Sequence, residues 1–344
     1  MTITMQFKLV PTQIQASIIS DTTREYISLV NDIVNYSIAL DEMPKLSSAS
    51  VKAPLPSALR GQCCIDAKSI WKKTMKSGAC FPTLKKPVAI WNNQNYKVNP
   101  DSVEFPVWID GRSQRIRVKA IIPDNMYGTL VNSKLGTLRI TMKRGRYMAQ
   151  VAYEQNQEVK SGSAIMGVDL GIKCPAVAVM SDETVRFYGN GHQNKYVRRC
   201  FAKRRKKLSK AKKLKAIKKS KNKEQRWMKD QDHKISRAIV NDAIAHGVGI
   251  IKLESLSGIR ASARKSRKNN HNLHNWSFYR LANFIEYKAQ LAGIEVVYVD
   301  PAYTSQRCPI CGGVHHAQDR VYICPDCGYR THRDVLGARN IMSA

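Results

Sequence analysis

The chain has 344 residues, with 57 Lys and Arg against 26 Asp and Glu, a formal net charge of +31 at pH 7. Its 43% hydrophobic content argues for folded cores over wholesale disorder, and the charge excess calls for a polyanionic partner, nucleic acid first. No signal-peptide h-region and no membrane-length apolar run is visible, so no membrane is expected and the setting is cytoplasmic (bacterial cytosol or nucleoid), where the nine cysteines stay reduced.

In chain order, Met5–Val10 alternates weakly and predicts a strand, and Pro11-Thr12 opens a helical region. Ile14, Ile18, Tyr26, Val30, Ile33 and Val34 recur there at helical spacing. The Ser/Pro-rich stretch from Pro44 to Pro56 interrupts the pattern, which resumes over Ser57–Lys76. From Phe81 to Tyr153 the signals switch to strands, with a hairpin turning at Arg144-Gly145. This order implies a small helical unit inserted after the first strand of a β-rich domain. Its aromatic residues Trp91, Tyr96, Trp108 and Tyr127 suit core packing better than base stacking.

A second pattern begins near Ala164. "AIMGVDLGIKCPAVAVMSD" predicts two apolar strands joined at Gly171-Ile172-Lys173. A long basic segment and a helix with Ile235, Ile239, Ala243 and Ile244 on one face follow. Then come the strand "IIKLE", a helix carrying Phe278, Leu281, Ala282, Ile285 and Ala289, and the strand "IEVVYV". Alternating strands and helices predict an α/β layer fold.

Three acids stand out in this half. Asp169 and Glu254 end apolar strands, where an ionised carboxylate is costly to bury without compensation. Asp334 lies in "THRDVLGARNI". Taken singly, each is more often a turn former, a cap or a solvated acid, and Thr331–Asp334 also spells a capping box. Three carboxylates from separate elements can instead hold two divalent cations about 4 Å apart, and Mg²⁺ or Mn²⁺ suits an all-oxygen site.

Cys308-Pro309-Ile310-Cys311 and Cys324-Pro325-Asp326-Cys327 have the spacing of a closed four-cysteine zinc ribbon holding one structural Zn²⁺, with tight turns at Gly312 and Gly328. His315 and His316, in the intervening loop, are read as bystanders. Cys63, Cys64, Cys80, Cys174 and Cys200 lack metal spacing and are read as ordinary thiols. The basic run Val197–Trp227 is assigned to phosphate neutralisation rather than to a merely solvated hairpin. A second basic loop, Gly258–Trp276, could clamp a strand beside the acids.

These residues, in this order, resemble the TnpB proteins of bacterial insertion sequences and their relatives, the compact type V CRISPR effectors. "GVDLGIKCPAVAV", "IIKLESLSG" and "CPDCGYRTHRDVLGARNI" are similar to the family's three RuvC motifs, which carry Asp169, Glu254 and Asp334 as catalytic metal ligands. "FIEYKAQLAGIEVVYVDPAYTSQRCPICG" is similar to its most distinctive stretch. "FKLVPTQIQ" and "FPTLKKPVAIWN" resemble its wedge domain. One departure is plain: Leu336-Gly337-Ala338 stands where the family has Asn-Ala-Ala.

The resemblance implies an α+β multidomain protein. Residues 1–10 and 77–160 would form a wedge β-barrel, with residues 11–76 as an inserted helical recognition unit. Residues 161–300 and 331–344 would form a RuvC-like, RNase H-type nuclease domain, with residues 301–330 as a zinc-ribbon target-nucleic-acid-binding domain. It further implies a transposon-encoded guide RNA, double-stranded target DNA and cleavage beside a short adjacent motif by two-metal hydrolysis; it leaves the oligomeric state open between monomer and dimer, with a monomer favoured. The alternative is a guided DNA-binding repressor without cleavage, which loss of an acid would mark, and all three acids are present.

Overall fold

The computed structural model describes residues 1–155, 162–256, 270, 273–274 and 276–344. The second basic loop therefore lies outside the described residues, apart from Asn270, Leu273, His274 and Trp276. The chain divides into two compact units, Met1–Asn156 and Gln157–Ala344.

The N-terminal unit runs β1 (Thr2–Val10), α1 (Gln13–Leu40), α2 (Ser57–Ser77), β2 (Val88–Trp91), β3 (Lys97–Val98), β4 (Ser102–Ile109), β5 (Arg112–Ile121), α3 (Asp124–Val131), β6 (Lys134–Lys143) and β7 (Arg146–Glu154). A capping box between Thr12 and Gln15 starts α1 where the sequence suggests. The β6–β7 hairpin turns at Arg144 and Gly145, both at positive φ. Helix α3 was not expected, because eight residues after Pro123 are too short for a periodic signal.

All pairings in this unit are antiparallel, in the order β2-β6-β7-β1-β5-β4-β3. The expected barrel is instead a curled sheet whose edges, β2 and β3, do not pair with each other; β3 has only two residues to offer. Curling brings Trp91 of β2 to β4, where its indole N–H donates to the Pro106 carbonyl at 2.9 Å and its ring lies 4.8 Å from that of Phe105. Ile19, Tyr26 and Val30 of α1 and Leu59 and Cys63 of α2 are buried in the same core as these strands. Trp91 and Tyr96 are core residues, as their sequence context suggests.

The C-terminal unit runs β8 (Ala164–Asp169), β9 (Ala176–Met180), β10 (Val185–Tyr188), α4 (Gly191–Lys210), α5 (Leu214–Ala245), β11 (Val248–Glu254), α6 (Phe278–Leu291), β12 (Glu295–Val299), β13 (Val321–Ile323), β14 (Arg330–His332) and α7 (Arg333–Ser343). Its five-stranded sheet has the order β10-β9-β8-β11-β12. The first three strands are antiparallel, and β11 is parallel to both β8 and β12.

The two faces of this sheet are covered differently. Val168 of β8 and Leu253 of β11 join the core built with Ile235 and Ile239 of α5 and Leu281 and Ile285 of α6. The opposite face of β9, Val177 and Val179, packs on Val335 and Ala338 of α7. Helix α7 also crosses β8 directly over Gly167, where any Cβ would lie 2.1 Å from the Ala338 carbonyl oxygen. Alternation along the strand therefore turns Gly167 and Asp169 toward α7.

Candidate active site

Strands β8 and β11 run in parallel with Val168 opposite Leu253, so Asp169 and Glu254, the next residues along, end neighbouring strands on one face. That face is the α7 face, as the Lys252 ammonium, two residues before Glu254, confirms by donating to the Met342 carbonyl at 3.0 Å. Asp334 lies in the first turn of α7, whose cap is the His332 ring accepting from the Asp334 N–H at 3.2 Å. The capping box suggested by Thr331 is thus replaced by a histidine cap one residue later, at His332. Helix α7 meets β8 at Gly337, where a Cβ would sit 3.1 Å from Asp169 Oδ2.

Asp169 feels both of the other acids. Burial holds Asp169 up at about 7, and the Glu254 and Asp334 carboxylates add to the rise while Arg333 and Arg320 oppose it. Burial also raises Glu254, and the Thr304 hydroxyl, donating to its Oε1 at 2.6 Å, pulls the other way. Asp334 is gripped by Arg320, whose Nη1 reaches both carboxylate oxygens at 2.8 and 2.6 Å. Asp334 therefore has its charge matched by a guanidinium, whereas Asp169 has only more distant cations.

Sequence reasoning missed Thr304, Arg320 and Asn340. Asn340 on α7 donates to the carbonyls of Thr304 and Arg307 at 2.7 and 2.8 Å, tying the loop that carries Thr304 to the helix that carries Asp334. Thr304 and Asn340 fall inside quoted motifs, but a hydroxyl or amide has no spacing signature. Arg320 is one arginine among many.

The four cysteines form a separate cluster. The sulfurs of Cys308, Cys311, Cys324 and Cys327 all lie within 4.8 Å of one another. The Cys308–Cys327 and Cys311–Cys324 separations are 3.5 and 3.4 Å, close to the roughly 3.8 Å edge of a tetrahedron with Zn–S near 2.3 Å. Two like turns build it: the Gly312 N–H donates to Cys308 O, and the Gly328 N–H to Cys324 O. Burial pushes the Cys324 thiol up, but backbone N–H groups of Cys327 and Asp326 and the neighbouring thiols outweigh it and hold it at about 6, which favours the ligating thiolate. His315 pairs with Asp326 at 2.7 Å, and both approach Cys324 within 4.8 Å. Cys308, Cys324 and Tyr322 pack against Leu336 of α7, which seats the cluster beside the acids.

Among the described residues, groups with ligand atoms all within 4.8 Å of one another are these cysteines and the His315–Cys324–Asp326 trio. The three carboxylates are more open than that. No helix among the described residues is long and apolar enough to cross a membrane.

Residues 278–341 match the family described as Cas12f1-like, TNB domain. The chain is 36% identical over 155 residues to the TnpB-like protein MJ0751 of Methanocaldococcus jannaschii, covering 43% of this chain and 55% of that protein. It is 30% identical over 218 residues to a CRISPR-associated endodeoxyribonuclease Cas12f1 of Sulfoacidibacillus thermotolerans, covering 58% and 50%. It is 26% identical over 325 residues to the putative RNA-guided DNA endonuclease InsQ of Escherichia coli K12, covering 86% and 75%. The chain thus spans about half the length of the first two of these relatives. Among solved structures, a Cas12f1–sgRNA–target DNA complex matches with a TM-score of 0.73 at 17% identity, over 96% of this chain and 83% of that one. That likeness establishes a shared fold.

Proposed function

We propose that this chain, a relative of the TnpB-like proteins and the Cas12f endonucleases, is an RNA-guided DNA endonuclease whose active site is Asp169, Glu254 and Asp334. One observation carries the reading: two carboxylates end adjacent parallel strands on one face, and a third comes from the helix packed on that face. The sheet order, three antiparallel strands followed by two parallel ones, supports a RuvC-like, RNase H-type domain over residues 161–300 and 331–344, with a zinc ribbon at 301–330. The curled sheet supports a wedge role for residues 1–10 and 77–160, and α1 and α2 a recognition role for 11–76. Guide RNA and double-stranded target DNA are the expected partners, since the relatives' names specify RNA guidance and DNA cleavage.

The donor set fits hard divalent cations, because Asp169 is buried among like charges that a Mg²⁺ or Mn²⁺ pair would relieve. Such ions, when bound to the three acids, supply an activated water and charge stabilisation at the leaving oxygen. The protein's own contribution is positional. Thr304 fixes the Glu254 rotamer, Asn340 holds Thr304 in place, and Arg320 orients Asp334 with two hydrogen bonds. Cys308, Cys311, Cys324 and Cys327 would hold one structural Zn²⁺.

The test is cleavage of a matched and a scrambled target plasmid by the protein purified with the RNA encoded beside its gene. Asp169→Ala, Glu254→Ala and Asp334→Ala should each abolish cutting and keep guided binding. Equal cutting of both targets would make the protein an unguided nuclease. Undiminished cutting by the Asp169 or Glu254 variant would remove the site, and matched binding without cutting by wild type would favour a guided repressor.

A further inference from the structure

Among the described residues, three buried side-chain polar atoms have no hydrogen-bond partner: Arg60 Nε, Arg339 Nε and the Tyr322 hydroxyl. Each arginine has another guanidinium nitrogen engaged, Arg60 with the Val51 carbonyl at 3.1 Å and Arg339 with the Tyr329 hydroxyl at 2.9 Å. Tyr322 has only its hydroxyl, and the residue is fully buried. A buried O–H with nothing to donate to is costly, and phenylalanine would fill the same space without that cost.

The surroundings of the hydroxyl hold an acceptor. Tyr322 shares its core with Cys308, Cys324 and Leu336. Burial raises its phenol, and of its neighbours Cys324 acts on it most strongly, ahead of Cys308. A thiol is a weak acceptor, so the hydroxyl gains little from Cys324 in that form. A metal-bound cysteine is a thiolate, and a hydrogen bond to an ionised acceptor is roughly twice as strong. Four thiolates around one Zn²⁺ leave the cluster anionic, so donors at its edge have a role. Backbone N–H groups already serve three sulfurs: Gly313 for Cys311, Asp326 and Cys327 for Cys324, and Tyr329 for Cys327. Tyr322 adds a side-chain donor from the strand that leads into the second turn.

Its place on that strand gives the contact a consequence. Arg320, Tyr322 and Cys324 alternate along β13 and its two flanks, which puts them on one face. Arg320 grips Asp334, while Tyr322 and Cys324 pack on Leu336, one turn further along α7. One short strand thus ties the cysteine cluster to the acid.

We propose that Tyr322 is a positioning residue of the metal cluster, its hydroxyl donating to the metal-bound Cys324 sulfur and so fixing β13 against the cluster. The proposal rests on the four-cysteine zinc reading, and its test separates the two.

The test uses the full-length chain loaded with Zn²⁺ or Co²⁺. Tyr322→Phe removes the oxygen and keeps the ring, and replacing Tyr322 by 3-fluorotyrosine makes the hydroxyl a stronger donor. In competition with a chromogenic chelator, Tyr322→Phe should hold zinc roughly tenfold less tightly than wild type. In the Co²⁺ form, the sulfur-to-metal charge-transfer band should move to lower energy in Tyr322→Phe and to higher energy with 3-fluorotyrosine. The reason is that a hydrogen bond stabilises the sulfur lone pair, and a ring that merely packs would not shift the band in opposite directions. Metal-free Tyr322→Phe should melt no lower than metal-free wild type, because there the hydroxyl has no strong partner to lose. Zinc affinity within about twofold of wild type, together with an unmoved band, would overturn the proposal. So would an equal loss of stability with and without metal, which marks packing alone. If Tyr322→Phe does not fold, the 3-fluorotyrosine protein decides, and an unmoved band there overturns it. Wild type that takes up neither Zn²⁺ nor Co²⁺ would remove the four-cysteine reading itself, and this proposal with it.

Discussion

Replacing Asp169 by Asn isolates the electrostatics of the acidic site. Burial first, and then the Glu254 and Asp334 carboxylates, hold Asp169 at about 7, against 3.8 without perturbation. Because the folded value lies above the unfolded one, ionising this group costs the fold. The destabilisation is absent below about pH 4, grows with rising pH, and is complete above about pH 7. The gap from 3.8 to about 7, at about 1.4 kcal/mol per tenfold, sets a ceiling of about 4 kcal/mol. Asn keeps the shape and discards the charge. With about half that ceiling surviving relaxation of the site, Asp169→Asn should melt roughly 4–8 °C above wild type near pH 8 in EDTA. The gain should shrink to a degree or two near pH 4.5. Scanning calorimetry across that range measures it, and saturating Mg²⁺ should narrow or reverse the difference by stabilising wild type. A variant less stable than wild type at every pH in EDTA, or a gain that does not grow with pH, would refute the reasoning.

Two further outcomes follow from the same geometry. Thr304→Val removes the 2.6 Å hydrogen bond that pulls Glu254 down, so the acid limb of the pH–rate profile for cleavage should move to higher pH; a fall in rate with an unmoved limb would leave Thr304 a purely structural role. Cys327→Ser opens the cysteine tetrad, and metal analysis of dialysed protein should fall from one zinc to less than about half an equivalent, with a lower melting temperature.

What the sequence reveals depends on the range of the interaction that fixes each feature. Strands β8 and β11 are legible because each is a short, mostly apolar run, broken in β11 only by Lys252, and an acid ending such a run is conspicuous. The cysteine tetrad is legible because two residues of fixed spacing share each turn. Helix α3 is not, being too short to show a period. The curl of the N-terminal sheet is not, because it depends on Trp91 meeting Pro106 across the strand order. Arg320 and Thr304 are invisible for a related reason: their partners, Asp334 and Glu254, are 14 and 50 residues away in sequence, and only the fold brings them together.

The departure at Leu336-Gly337-Ala338 acquires a physical account in α7. These three successive residues face three different neighbours, since each step turns the helix by about 100°. Leu336 is fully buried against Cys308, Tyr322 and Cys324, so it carries the cysteine cluster. Gly337 passes Asp169 closely enough that a Cβ there would sit 3.1 Å from the carboxylate oxygen. Ala338 lies over Gly167, where its carbonyl leaves no room for any side chain on β8. One turn of helix therefore sets the distance between the cysteine cluster, the Asp169 carboxylate and the sheet. An alanine at 337 would press on the Asp169 carboxylate, which would have to give by a few tenths of an ångström. Glycine leaves that space to Asp169, while Leu336 on the same turn is packed into the cysteine cluster.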